Sequence, residues 1–199
     1  MKKKNEPKCA RCQNKNCRSE KDCFSQAEKH KELYQDSTVA KLQKTAASIE
    51  GHHYGKEPRL SETILFAKEY GCKKIGLAFC VGLSEEAKVI EKILAKHFDV
   101  VSVCCKVCGI NKKEFNLYQI TPDREEIMCN PAGQAQLLNQ AKTDLNMICG
   151  LCVGHDAIFT KISDAPVTTL IVKDRVLAHN PIGAVYSKYV RKNFNKTLQ

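Results

Sequence analysis

The apolar stretch KKIGLAFC at Lys73–Cys80 predicts a buried β-strand that ends in a cysteine. Three later stretches have the same character: Asp99–Val107, Leu145–Cys152 and Val167–Val172. Helical patterns lie around and between them, at about 61–70, 85–97, 131–143, 155–162 and 181–193. Strands that alternate with helices predict βαβ units. We therefore expect a Rossmann-like α/β fold, with a parallel sheet of about four strands flanked by helices.

Composition divides the chain into three predicted parts. Residues 1–25 are charged, rich in cysteine and almost without apolar side chains, so we expect a small metal knuckle there. Residues 26–59 have a mainly helical pattern and predict a connector, in which Ser37 is a plausible N-cap. Residues 60–199 contain the four predicted strands and form the predicted α/β metal-binding domain.

Twelve cysteines in 199 residues indicate that thiols carry the chemistry of this protein. Polar residues follow Lys2–Lys4, where a signal peptide would be apolar. No apolar run approaches the roughly 18 residues of a membrane span. We therefore predict a cytoplasmic protein without membrane contact. Thiols stay reduced in that compartment, so clustered cysteines indicate metal binding or catalysis rather than a disulfide framework.

The formal net charge of +10 favours an anionic partner. Much of the excess lies in Met1–Lys4 and Lys188–Lys196, as expected for solvated basic ends. Four further basic residues lie close to the predicted sheet edge and could attract a small anionic substrate: Lys106, Lys112, Lys113 and Arg124. No basic stripe rich in aromatic residues supports a nucleic-acid groove, so nucleic acid is a possible but not a favoured partner.

The N-terminal cysteines follow the pattern Cys9-x2-Cys12-x4-Cys17-x5-Cys23. Four thiolates within 15 residues can surround one tetrahedral ion, and the ion would supply folding energy to a segment without a core. Thiolate ligands favour zinc or an iron–sulfur cluster over calcium or magnesium. The pattern therefore predicts a zinc knuckle, with an iron–sulfur site as the alternative.

A second group of cysteines lies at the ends of the predicted strands or at the start of the helix near residue 131. Its members are Cys80, Cys104, Cys105, Cys129 and Cys152. Because the carboxyl ends of parallel strands share one edge, we expect these thiols to meet there around zinc or a [4Fe–4S] cluster. Adjacent residues of a strand point to opposite faces, so only one of Cys104 and Cys105 should bind the same metal. Cys108 and Cys149 rank below the others.

Other residues near this edge are candidates for catalysis or cofactor binding. His155 could donate a proton or hold a thiolate, and Asp156 could orient it or cap the following helix. The predicted cofactor-binding residues are Gly82, Lys106, Gly154 and His179.

These motifs together resemble the unknown-function family 1847, whose members are labelled predicted zinc- or metal-binding proteins. The motifs, in chain order, are 76–83 (GLAFCVGL), 102–106 (SVCCK), 128–131 (MCNP), 150–156 (GLCVGHD), 173–175 (KDR) and 179–181 (HNP). With the N-terminal cysteines they cover almost the whole chain. The resemblance implies a metal-binding protein and carries no particular reaction.

Three functions follow as hypotheses. The first is an intracellular metal-binding protein that partners metal ions or a redox protein without turning over a substrate. The second is an iron–sulfur-dependent enzyme of redox or sulfur chemistry, with His155 and Asp156 near an open iron position. The third is an interaction module for protein or nucleic acid that zinc stabilises. The number of thiolates at the sheet edge discriminates between the first two, because three would leave a position for substrate.

Overall fold

The computed structural model describes residues 6–197, and the chain divides after Tyr54 into two compact units. The first unit has two short 3-10 turns, then α1, a further 3-10 turn at Glu32–Gln35, and α2. Its helices are α1 (Ala27–Lys31) and α2 (Ser37–His53). The N-cap of α2 is Asp36 rather than Ser37, because the Asp36 carboxylate accepts hydrogen bonds from the N–H groups of Thr38 and Val39 at 2.9 and 3.0 Å.

The second unit is a four-stranded parallel sheet with helices around it. Its elements in chain order are α3 (Arg59–Tyr70), β1 (Lys74–Phe79), α4 (Ser84–Leu94), β2 (Asp99–Cys104), α5 (Pro131–Gln140), β3 (Leu145–Cys149), α6 (His155–Ile162), β4 (Val167–Ile171), α7 (Ile182–Tyr186) and α8 (Lys188–Thr197). The strand order is β2-β1-β3-β4 and every neighbouring pair is parallel. The predicted α/β fold is confirmed.

The order of the strands determines where a ligand would bind. The chain moves from β1 outward to β2, then returns past β1 to β3 and continues to β4. The connection from β1 to β2, which contains α4, and the connection from β2 to β3, which contains α5, cross the sheet in opposite directions. Because both crossovers are right-handed, α4 and α5 cover opposite faces of the sheet. Between β1 and β3 the carboxyl ends of the strands leave a crevice, the usual ligand site of open α/β sheets.

Apolar packing fixes the two central strands. Ile75 and Leu77 of β1 and Met147 of β3 are completely buried, and the same core contains Leu138 of α5 and Phe159 of α6. Strands that are buried on both faces require nearly continuous apolar sequence. This explains why KKIGLAFC predicts its strand so clearly.

The four predicted strands and the last predicted helix differ in extent from the structure. The strands end earlier than their apolar stretches, so that Cys80, Cys105 and Cys152 lie in the turns after them. The last predicted helix is two helices, because Ser187 has extended backbone angles between α7 and α8. No helix within residues 6–197 is long and apolar enough to cross a membrane.

The segment between β2 and α5, residues 105–130, is called the β2–α5 loop here. It contains two 3-10 turns, and an antiparallel bridge pairs Asn111 with Ile127. Lys112 Nζ lies 2.5 Å from Glu126 Oε2, and both side chains are only 15% exposed. The Glu126 carboxylate also accepts hydrogen bonds from the N–H groups of Ile120 and Thr121 at 3.1 and 2.9 Å. This network fixes an irregular loop that lacks a core of its own.

Candidate functional site

Backbone hydrogen bonds bring cysteines from separate elements to the carboxyl edge of the sheet. The Cys80 N–H donates to Cys149 O at 3.1 Å, which continues the pairing of β1 with β3 for one residue. The Cys105 N–H donates to Phe79 O at 2.8 Å, and Cys105 O accepts from the Asn130 N–H at 2.8 Å. The last bond brings the segment before α5, including Cys129, beside the end of β2.

Three of these cysteines, Cys80, Cys105 and Cys129, are called the thiol cluster here. Cys80 and Cys129 both lie close enough to Cys105 to change the pKa of its thiol. Cys80 and Cys105 are buried, at 6% and 2% exposure, and Cys129 is half-buried. The Val81 N–H also donates to Cys105 Sγ at 3.2 Å. Cysteines that are 25 and 49 residues from Cys80 in sequence therefore lie at the same edge of the sheet.

Within the cluster, Cys105 keeps its proton and Cys129 is the thiolate. The hydrogen bond from the Cys105 thiol lowers the pKa of Cys129 to about 5, and the charges of Lys106 and His155 act in the same direction against the effect of burial. The same hydrogen bond raises the pKa of Cys105, and burial raises it further. The pair therefore shares one proton and carries one negative charge near neutral pH.

Cys80 has a cationic partner from the far side of the sheet. Lys173, two residues after β4, donates from Nζ to Cys80 Sγ at 3.2 Å. Burial alone would raise the pKa of Cys80, but the Gly82 N–H and the Lys173 ammonium together lower it. Gly82, a predicted cofactor-binding residue, thus contributes its backbone N–H to this edge.

Cys152 is paired with a second cation from the same segment. Arg175 Nη2 donates to Cys152 Sγ at 2.9 Å, and this contact raises the pKa of the guanidinium. Arg175 also experiences the charges of Cys80 and Cys129, which places it within electrostatic reach of the thiol cluster. Cys152 itself is half-buried.

Gly150 permits the close packing beneath these contacts. Its φ of +65° lies in the left-handed region that favours glycine. A Cβ at this position would collide with Leu83 Cδ1 and lie 3.7 Å from Lys173 Cδ. The glycine therefore leaves room for the buried Leu83 side chain.

Other cysteines lie outside the thiol cluster. Cys104 ends β2 and is half-buried against the core, without a described bond to the cluster, so the fold selects Cys105 from the adjacent pair. Cys149 is completely buried, and burial raises its pKa to about 11, as expected for a core thiol. Cys108 is exposed.

Two of the remaining candidate residues lie near Cys129, and a third stabilises the start of α6. Lys106 and His155 are both close enough to lower the pKa of Cys129, and Lys106 Nζ donates a hydrogen bond to Ile127 O at 2.6 Å. Asp156 accepts from the N–H groups of Gly154 and Ala157 at 3.0 and 2.8 Å, so its carboxylate stabilises the start of α6.

His179 belongs to the segment that carries Lys173 and Arg175. The His179 ring nitrogen Nδ1 accepts a hydrogen bond from the Asp174 backbone N–H at 3.1 Å. The His179 backbone N–H donates to Asp174 O at 2.8 Å. These contacts close the turn after Lys173. The structure thus gives His179 a role in positioning the segment, and its predicted role in cofactor binding stays a prediction.

In the first unit, Cys9, Cys12, Cys17 and Cys23 are all exposed. The Cys12 N–H donates to Cys9 O at 3.1 Å, which forms a tight turn across the C-x2-C pair. A backbone hydrogen bond from Lys15 is the main reason why the pKa of Cys12 is lowered. Within residues 6–197, no group of three or more His, Cys, Asp or Glu side chains is arranged so that it could hold a metal ion.

Comparison with known proteins establishes the family. The family described as protein of unknown function (DUF1847) matches residues 17–170. The chain belongs to the DUF1847 family. A relative from Methanocaldococcus jannaschii, described as an uncharacterised protein, is 52% identical over 186 residues, which are 93% of this chain and 96% of the relative. No solved structure matched.

The family assignment confirms the resemblance seen in the sequence, and the label of metal binding stays a prediction. The thiol cluster and Cys152 all lie inside the part of the chain that DUF1847 matches. Lys173 and Arg175 lie beyond it. Sequence reasoning gave neither of these two cations a role. Their signal was their position directly after the fourth apolar stretch, at the edge where the cysteines were expected.

Proposed function

We propose that this DUF1847 protein is a metal-binding protein that holds an iron–sulfur cluster at the carboxyl edge of its sheet. The ligands would be Cys80, Cys105, Cys129 and Cys152. The observation that carries the proposal is the meeting of thiols from separate strand ends, with cations donating to two of the four sulfurs. Core packing alone does not require that arrangement.

The four proposed sulfur ligands are chemically suited to an iron–sulfur cluster. Sulfur ligands suit iron–sulfur clusters and zinc rather than hard cations. Hydrogen bonds to the sulfurs are among the features that set the potential of such a cluster, and Lys173 and Arg175 would supply them.

Binding would change the protonation of the site. Cys105 would have to release its proton, since metals bind thiolates. The hydrogen bonds within the thiol cluster would then give way to bonds with iron, while the cations from the segment after β4 would stay to balance the negative charge.

We further propose that the first unit binds zinc through Cys9, Cys12, Cys17 and Cys23. Residues 6–39 are exposed throughout, so this segment has no apolar core to stabilise it. A tetrahedral ion would supply that energy. The turn between Cys9 and Cys12 supports the proposal, since it resembles the start of a knuckle.

Anaerobic purification of the full-length protein tests both sites. We expect a broad visible absorption band with iron and sulfide in the sample, together with zinc. In Cys129→Ser the band and the iron should be lost while zinc remains, and in Cys12→Ser the reverse should hold. A colourless wild-type protein that stays colourless after reconstitution with iron and sulfide would refute the cluster.

A further inference from the structure

A cavity of about 530 Å³ lies beside the thiol cluster, within the roughly 300–1,000 Å³ that is usual for small-molecule sites. The β2–α5 loop forms most of its lining, and Val81 completes it. Two of its lining residues lie beside the thiol cluster. The Val81 N–H donates to Cys105 Sγ at 3.2 Å, and Lys106 is close enough to Cys129 to lower the pKa of its thiol. A molecule in this cavity would therefore lie one residue away from two of the three sulfurs.

The charges that line the cavity leave an excess of positive potential. Both of its carboxylates already have partners, since Glu126 pairs with Lys112 at 2.5 Å and Glu125 with Lys113 at 3.4 Å. The cavity is also lined by two cations, Lys106 and Arg124. Across the chain from residue 6 to residue 197, no carboxylate lies within ion-pair distance of either one.

The same cavity has an apolar side. Val81, Ile120 and Ile127 line it, and they are 48%, 88% and 38% exposed. An exposed apolar side chain gains from a ligand that removes it from water. The Glu126 network fixes this part of the loop, because its carboxylate accepts from the Ile120 N–H at 3.1 Å. The backbone of Ile120 therefore has a fixed position in the cavity lining.

From this lining we propose that the cavity binds a small organic anion, with a carboxylate or phosphate against Lys106 and Arg124 and a short apolar part against the three aliphatic side chains. Charge-assisted hydrogen bonds from two cations provide orientation, and the apolar wall adds affinity. The binding stands on the cavity alone. That the metal centre would act on the bound anion rests on the proposed function.

Titration of isotope-labelled, full-length protein followed by nuclear magnetic resonance tests the site. The probes are butyrate and butyl phosphate, with butylamine and butanol as matched controls. We expect at least one of the two anions to shift the amide signals of residues 106–127 and to bind about tenfold more tightly than butanol. Which anion binds identifies the head group. Equal binding of all four probes, or no shifts in this range, would overturn the proposal.

Two variants with the same change of charge provide the control. Arg124→Gln should weaken anion binding about tenfold, the effect of one lost charge-assisted hydrogen bond. Lys88→Gln, on the exposed side of α4, should leave it within about twofold. Equal effects of the two variants would mean that anion binding depends only on the net charge of the protein, and would overturn the proposed site. Iron is measured in the same samples to separate the two proposals. Anion binding without iron would refute only the proposed function. Iron without anion binding would refute only this inference.

Discussion

Lys173 Nζ donates a hydrogen bond to Cys80 Sγ over 3.2 Å, although the two residues are 93 positions apart in the sequence. The contact joins the ends of β4 and β1, which are not neighbours in the sheet. A lysine that crosses the end of β3 to reach a buried sulfur is more than a solvated surface charge. Its first consequence is chemical, because it stabilises the thiolate form of Cys80.

Replacing Lys173 with Gln should therefore raise the pKa of Cys80 in the metal-free protein. The amide can still donate a hydrogen bond but no longer supplies a positive charge. The ultraviolet absorbance of thiolates, followed against pH, measures the change. Lys88→Gln serves as the control of equal charge and should leave the curve unchanged. An identical curve for Lys173→Gln would show that the ammonium does not stabilise the sulfur.

Cys104 and Cys105 form a matched pair for the metal site. Cys105→Ser should remove most of the iron, because it deletes the thiol that links Cys80 and Cys129. Cys104→Ser should retain it, since that side chain packs against the core. Iron analysis and the visible spectrum compare the two proteins. Iron loss that is greater in Cys104→Ser would reverse the assignment.

Gly150→Ala should lower the free energy of unfolding of the second unit by roughly 1–3 kcal/mol because of its left-handed backbone. The collision of the new methyl group with Leu83 should lower that free energy further. Gly154→Ala separates the two causes, since Gly154 also has a positive φ, +86°, but open space around a Cβ. Its cost should be limited to the roughly 1–3 kcal/mol of the positive φ. Guanidinium unfolding measures both. Equal midpoints would exclude a steric role for Gly150.

The β2–α5 loop should lose stability in acid. The Lys112 ammonium and two backbone N–H groups lower the pKa of Glu126 to about 2 from an unfolded value of 4.5. A lowered pKa contributes stability that is present above pH 4.5 and is lost as the pH falls towards 2. The protection factors of the Ile120 and Thr121 amides, which compare measured with intrinsic hydrogen-exchange rates at each pH, should fall in that range.

Two substitutions check this assignment of the acid effect. Glu126→Gln should accelerate exchange of the same amides already at neutral pH and remove most of its dependence on acid. Glu125→Gln should change little, because Glu125 is 76% exposed and its pair with Lys113 is long, at 3.4 Å. Protection that persists at pH 2.5 in the wild type would contradict the role of Glu126.

The strands and the meeting of thiols could be predicted from sequence because both follow from strong local signals. KKIGLAFC is apolar without interruption, and Cys80 directly follows it. Parallel strands then bring their ends together whatever the details of packing. The choice between Cys104 and Cys105 could not be predicted, since it depends on where β2 ends and which face each side chain takes.

The cations of the site were harder to predict than its sulfurs. Lysine and arginine are mostly found at the surface, so a chain with 32 of them gives little reason to select two. Lys173 lies in a segment whose turn is closed by His179, and Gly150 leaves space for Leu83 at the same edge. Backbone angles and vacant space decide such contacts, and neither appears in a residue pattern.

The parallel connectivity of the sheet also has a consequence for biosynthesis. Cys80 leaves the ribosome long before Lys173, and at about 5–20 residues per second the interval between them is roughly 5–20 s. During that interval the nascent chain carries a thiol whose lysine has not yet been translated. The contact between Lys173 and Cys80 can therefore form only after the fourth strand has been translated, and under the proposed function the metal centre would gain this cation last.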